Sequence, residues 1–227
     1  MVLVRRTDAD DRWCERFRGT VTERLLELDL PGVTVNLKDA DVRASLMTLT
    51  TLDPPVTAVV SLWTQQYYGD ALSAALDLLA AEADRLAAYL VTESVPMPGP
   101  DTLGARTPGL ANIALLRRPA GLDAATWRSR WHLQHTTVAI ETQSTFGYRQ
   151  NDVVRALTPD APAIAAIVEE LFPIEAVGDL HAFFGAADAA DLTDRMTRMI
   201  ASTSAFGANE NIDTVPTSRY VLRSPFA

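Results

Sequence analysis

Ile113-Ala114-Leu115-Leu116-Arg117-Arg118, then a helical pattern carrying Trp127 and Trp131, then Phe146-Gly147-Tyr148-Arg149-Gln150-Asn151, is the stretch that decides the fold. A short apolar run ending in arginines reads as a buried strand, and tryptophans four positions apart mark one face of a helix. The alternation through 146–151 reads as a second strand. The same order stands near the start of the chain: Val2-Leu3-Val4-Arg5-Arg6, a helix carrying Trp13 and Phe17, then Gly32-Val33-Thr34-Val35-Asn36-Leu37. The interval from Trp13 to Arg43 nearly equals that from Trp127 to Arg155, which points to an old tandem duplication.

Each half continues alike. Val56 to Trp63 is strand-like, whereas Ala163 to Val168 could serve either state. Leu72, Ala75, Leu76, Leu79 and Ala83 recur at helical spacing, as do Leu180, Phe183 and Phe184, then Leu192, Met196 and Met199. Closing strands are expected at Ala87 to Val91 and Ser218 to Leu222. The expected fold class is α+β: tandem ferredoxin-like βαββαβ modules whose antiparallel sheets pack into an α+β barrel, because a sheet covered by helices on one face must bury the other. Residues 1–98 form a degenerate first module, 99–111 a linker and 112–227 the second module. Pro96-Met97-Pro98-Gly99-Pro100 marks the boundary. Closure within one chain removes the need for a partner and leaves room for a homodimer through helices or exposed strands.

Composition excludes several functions. With 227 residues, 48% of them hydrophobic and 22% charged, the chain can bury one large core or two small ones. A net charge of −9, with both halves acidic, argues against DNA or RNA as a partner. No apolar run approaches the roughly 20 residues that cross a bilayer, and residues 1–11 lack a signal-peptide segment, so a cytoplasmic location away from membranes is expected. The single cysteine, Cys14, excludes an internal disulfide and reads as a packed thiol. The single lysine, Lys38, sits in a charged turn unsuited to Schiff-base chemistry. No glycine-rich phosphate loop stands at a strand-to-helix turn, so no nucleotide cofactor is indicated.

The candidate site lies in the second half. Trp127, Trp131, His135 and Ala139 share one helical stripe, which puts His135 on the buried side and His132, beside Arg128 and Thr136, at its edge. An imidazole of pKa roughly 6.5 suits proton transfer, and burial favours its neutral form, so His135 is the candidate base; the alternative is a packed histidine donating to a backbone carbonyl. On the following strand Phe146, Tyr148 and Gln150 share one face and Gly147, Arg149 and Asn151 the other. With Tyr148 and Gln150 inward, the phenol and amide could donate to an enolate or oxyanion, leaving Asn151 in a supporting or turn position. Trp131, His132, Phe146, Gln150 and Asn151 are the candidate substrate-binding residues, with Trp63 as a further apolar wall. His132 and His135 could offer two metal ligands, but a third with diagnostic spacing is missing, and neither metal nor haem is expected. His181 reads as structural.

Residues 113–222 resemble the EthD family of the dimeric α+β barrel superfamily. The resemblance rests on the aromatic residue followed four positions later by histidine, Trp131 to His135, on Tyr148-Arg149-Gln150-Asn151, and on Gly178-Asp179-Leu180-His181-Ala182-Phe183-Phe184. The chain departs from the family pattern where Thr136-Thr137 replaces a proline and Asp152 a histidine, which weighs against a two-histidine mechanism. In the first half Val21 stands near the place of His135, so one functional pocket is expected. The resemblance implies a cofactor-independent enzyme acting on a hydrophobic, aromatic or polyketide-like carbonyl compound, with His135 abstracting a proton and Tyr148 as electrophilic partner. Dehydratase, decarboxylase, cyclase or isomerase chemistry would follow; a cofactor-independent oxygenase and a non-catalytic barrel that binds a hydrophobic ligand are the alternatives.

Overall fold

The computed structural model describes residues 1–226. Its eight strands are β1 (Val2–Arg5), β2 (Gly32–Leu37), β3 (Val56–Trp63), β4 (Arg85–Met97), β5 (Leu110–Leu116), β6 (Gly147–Ala156), β7 (Ala166–Phe172) and β8 (Asp213–Arg223). They close in the order β1-β3-β2-β8-β5-β7-β6-β4, every pair antiparallel. Each half supplies four contiguous strands in the βαββαβ order, so the α+β barrel expected from the sequence is the one observed. Two seams join the halves: β2 to β8, with Asn36 opposite Arg219, and β4 to β6, with Glu93 opposite Asn151.

Two of the expected boundaries fall elsewhere. The third strand of the second half is Ala166–Phe172 rather than 163–168, and β4 runs on through Pro96 to Met97. Proline is tolerated there because the β4–β6 register shifts between Ser94 and Met97, where no ladder hydrogen bond is lost. The connection then ends at Gly109, whose φ of 103° suits glycine; a Cβ there would stand 2.1 Å from the Phe172 carbonyl oxygen.

Helix α1 runs as Asp11–Arg16, a π-helical segment Phe17–Val21, and Thr22–Leu26. Helix α2 is Asp70–Ala80. Helix α3 repeats the device with Ala124–Ser129, a π-helical Arg130–His135 and Thr136–Thr142. Val21 and His135, matched in the sequence, thus each close a π-helical segment. Short α4 (Leu180–Phe184) and long α5 (Ala189–Ser204) complete the second half. Asp10, Asp123, Asp179 and Asp188 accept backbone N–H groups at the starts of α1, α3, α4 and α5.

Strand alternation divides the core into layers. Val33, Val35, Ala58 and Val60 pack outward against Trp13, Phe17 and Leu79 of α1 and α2; Ala114, Ala166 and Val168 pack outward against Trp127 and Trp131 of α3. The lumen is apolar around Leu3, Val59, Tyr89, Ile113, Leu115 and Ile167. Elsewhere it is charged. Glu169 stands 3.0 Å from Arg219 Nε and 3.6 Å from Arg149 Nε, and accepts from Asn36 Nδ2 at 2.9 Å. Asp101, from the connection between the halves, meets Arg219 at 2.7 Å and Arg149 at 3.0 Å, closing this end. Removing Glu169 would take the inner carboxylate from Arg219 and Arg149, leaving them Asp101 at the end of the lumen, and would take the acceptor from Asn36. Glu169→Ala is expected to cost about 3–5 kcal/mol in urea unfolding; a loss below about 1 kcal/mol would mean that the lumen network is dispensable.

Candidate functional site

The outer face of β5–β8 is only partly covered by α3. Between that face, α3, α4 and α5 lies a cavity of about 460 Å³. Its walls are largely apolar, including Leu116, Val168, Phe183, Phe184, Met199 and Phe206. The first half also contributes, because the 38–55 connection between β2 and β3 reaches across and sets Leu46, Met47 and Leu49 at the mouth. That connection is fastened to the second half: Leu46 N donates to the Val177 carbonyl at 3.0 Å, and Asp213 accepts Thr51 N at 2.6 Å and Leu52 N at 3.1 Å. Arg117 meets the same carboxylate at 2.7 Å. Leu46, Leu49 and Ile200 remain more than half or about half exposed at the rim, at 58%, 50% and 57%.

His135 and Tyr148 both line this cavity. In α3 the wider π turn is closed by Thr136, whose backbone N–H and Oγ1 both donate to the Trp131 carbonyl five residues back. Trp131 therefore stays against the sheet, while the His135 ring lies 4.9 Å from Phe206 with Nδ1 3.0 Å from Ser202 Oγ of α5. Nε2 has no protein partner among the described residues. Burial pushes the imidazole down to about 4, so it is neutral around pH 7. The wholly buried Tyr148 phenol is pushed up, first by desolvation and then by Glu170, with Trp131 and Gln150 opposing.

A row of polar side chains crosses the cavity floor. Tyr148 of β6 is directly opposite Glu170 of β7, and Glu170 is directly opposite Asn112 of β5. Glu170 is 8% exposed, and burial pushes its carboxyl up to about 8. With the Gln143 amide turned to satisfy both its ends, its nitrogen donates to Glu170 Oε1 at 2.9 Å and to the Ala139 carbonyl at 3.2 Å. Asn112 Oδ1 is buried without a partner among the described residues.

The other residues singled out from the sequence stand outside this cavity. Trp131 is wholly buried beside Trp127, their ring centres 5.2 Å apart. His132 turns away, with Nε2 2.9 Å from Asp152. Gln150 shares the outer face with Tyr148 but donates to Thr136 Oγ1 at 2.7 Å. Asn151 points into the lumen and donates to the Ile167 carbonyl at 3.2 Å. Phe146 precedes β6 and packs near Gly109. Trp63 lines a second cavity of about 300 Å³, between β3 and β4 beyond the end of β1. His181 lies at the start of α4, its N–H bound to Asp179. Among the described residues no three His, Cys, Asp or Glu side chains converge as metal ligands, and no helix is long and apolar enough to cross a membrane. Glu170, Asn112 and Gln143 were not singled out; the signal for the first was Glu169-Glu170 inside an apolar run, since neighbouring strand positions face opposite sides and one of the two must leave the lumen.

No family model matches the chain, and no curated protein matches it. A solved structure described as an anthrone oxidase-like protein shares the fold, with a TM-score of 0.51 at 11% identity over 97% of this chain and 91% of that one. The similarity supports the barrel architecture across both halves.

The raised Glu170 pKa makes stability depend on pH. The folded state holds this proton up to about 8, whereas an unfolded glutamate releases it near 4.5, so the stabilisation is complete below 4.5 and is lost as pH rises through 8. Between pH 6.5 and 8 the Glu170 contribution falls by up to about 1.4 kcal/mol per pH unit, while the buried Met1 ammonium, pushed down from 8.0 to about 5, adds a rise of similar size over the same window. Chemical denaturation across that window should show stability nearly level in the wild type and rising with pH in Glu170→Gln; equal slopes would show that Glu170 does not hold the proton.

Proposed function

We propose that the protein is a small-molecule enzyme that takes a proton from carbon beside the carbonyl of a hydrophobic compound. The observation that carries this reading is the convergence of a neutral histidine and a protonated tyrosine on one apolar cavity of about 460 Å³. With Nδ1–H donating to Ser202 Oγ, Nε2 of His135 keeps its lone pair for the substrate. The proton moves from the carbon acid to Nε2, and the electron pair of the broken C–H bond becomes an enolate whose oxygen accepts from Tyr148. Returning the proton to another carbon isomerises the substrate; loss of a β-hydroxyl as water, or attack of the enolate on a second carbonyl, gives dehydration or cyclisation.

The neighbour's description favours a second outcome of the same first step. In an oxidase branch molecular oxygen would take electrons from the enolate, converting a CH₂ group to a carbonyl with release of water. The motif around Trp131, His135 and Tyr148 supports placing the second half with the EthD family, and the repeated order of elements supports a division into modules 1–98 and 112–227 joined by 99–111. Trp131 and Gln150 then support the site from behind, through the sheet packing and through Thr136, while His132, Phe146 and Asn151 do not reach the substrate.

The test uses 2-tetralone, an apolar ketone with an acidic CH₂ group. Exchange of its C1 hydrogens for deuterium, followed by NMR, should be accelerated by the wild type, and His135→Gln should reduce that rate by roughly 10²–10⁴ while calorimetric affinity stays within a few-fold. Retained exchange in His135→Gln would remove His135 as the base; binding without exchange in the wild type would leave a ligand-binding barrel.

A further inference from the structure

Among the described residues lining the large cavity there is no lysine, arginine or aspartate. Glu170 nevertheless stands buried on its floor, and its outward direction separates it from the arginines of the lumen that its neighbour Glu169 engages. The other titratable groups of the lining are Tyr148 from β6, directly opposite it, and His135 from α3; β5, β8, α4 and α5 contribute none. A carboxylate without a cation in such a place costs several kcal/mol, and the low-energy alternative is to keep its proton. Asn112 supplies an independent sign. Its Oδ1 is a buried acceptor directly across the strand pair from Glu170 with no donor among the described residues, and such atoms are almost always satisfied. A protonated Glu170 on the directly opposite position would offer one.

We infer that Glu170 acts in its carboxylic-acid form as the second hydrogen-bond donor to the ligand's carbonyl oxygen, beside Tyr148, and so restricts the cavity to uncharged ketones and enols over carboxylates. This assignment rests on the reading of the cavity as a carbonyl site. In the empty site the Glu170 proton is directed to Asn112 Oδ1. A ligand oxygen between Glu170 and Tyr148 takes that proton as a hydrogen bond, without covalent change, while Gln143 holds the other carboxyl oxygen in place. Two neutral donors stabilise an enolate as charge develops on it, whereas an ionised Glu170 would repel it. A carboxylate ligand would meet no cation in the cavity and would bring a second negative charge toward Glu170.

The experiment is calorimetric titration of the full chain with 2-tetralone, which carries no charge from pH 6.5 to 9.5, and with 2-naphthoate as the anionic comparison. Wild-type affinity for the ketone is expected to fall at least tenfold over that range as Glu170 ionises. Glu170→Gln, whose amide donates at every pH, should bind nearly equally at both ends. Glu170→Leu, which keeps the volume but not the donor, should bind weakly at both. An infrared carboxylic-acid band present at pH 6.5 and missing in Glu170→Gln would report the proton directly. The inference is overturned by pH-independent wild-type binding, by the same pH dependence in Glu170→Gln, by stronger binding of 2-naphthoate than of 2-tetralone, or by no ketone binding at all. Failure of the proton-transfer reading looks different: 2-tetralone then binds with the expected Glu170 dependence, yet its C1 hydrogens do not exchange.

Discussion

Closure of the barrel within one chain is the constraint on which the rest of the structure depends. Each half builds a four-stranded sheet with helices on one face, leaving the other face and two edges exposed. The β2–β8 and β4–β6 seams remove both liabilities, because they pair the edges and turn the free faces toward each other. The lumen so formed is too full to be a ligand chamber over most of its length. Leu3, Val59, Ile113 and Ile167 fill one part, and the Glu169, Arg149, Arg219 and Asp101 network fills another. Space for a ligand is therefore found outside the barrel, where α3 does not cover the whole outer face of the second sheet.

The same closure makes the cavity a joint product of both halves. Once β2 lies beside β8, the 38–55 connection emerges next to the second half's helices, and Asp213 fixes it there through Thr51 and Leu52. Leu46, Met47 and Leu49 can then cover the mouth. The two halves contribute unequally. The π-helical turn in α3 ends on His135, which reaches Ser202 and the cavity; the corresponding turn in α1 ends on Val21, which packs into the core with Trp13 and Phe17.

Glu169 and Glu170 illustrate how a strand separates environments. One residue apart, they face opposite sides of β7. Glu169 meets two arginines in the lumen, where the partners offset the cost of burial. Glu170 enters a cavity with no lysine or arginine among the described residues of its lining, and burial holds its proton until about pH 8. Chemically identical side chains thus acquire different surroundings from position alone.

The sequence by itself determined the alternation of elements, the barrel class and two of the groups in the cavity. Trp127, Trp131 and His135 share a helical face at any tertiary arrangement, and Tyr148 and Gln150 share a strand face, because local geometry sets both periods. It did not locate β7 sharply, since alanine and isoleucine suit helix and strand alike, and Glu170 was passed over with it. Which residues then met was decided only by tertiary structure. Strand register placed Glu170 between Tyr148 and Asn112, the wider turn in α3 aimed His135 at Ser202, and the barrel seam brought a distant connection over the mouth. Such meetings depend on pairings between residues far apart in the chain, and periodicity along one segment contains no information about the segment it will face.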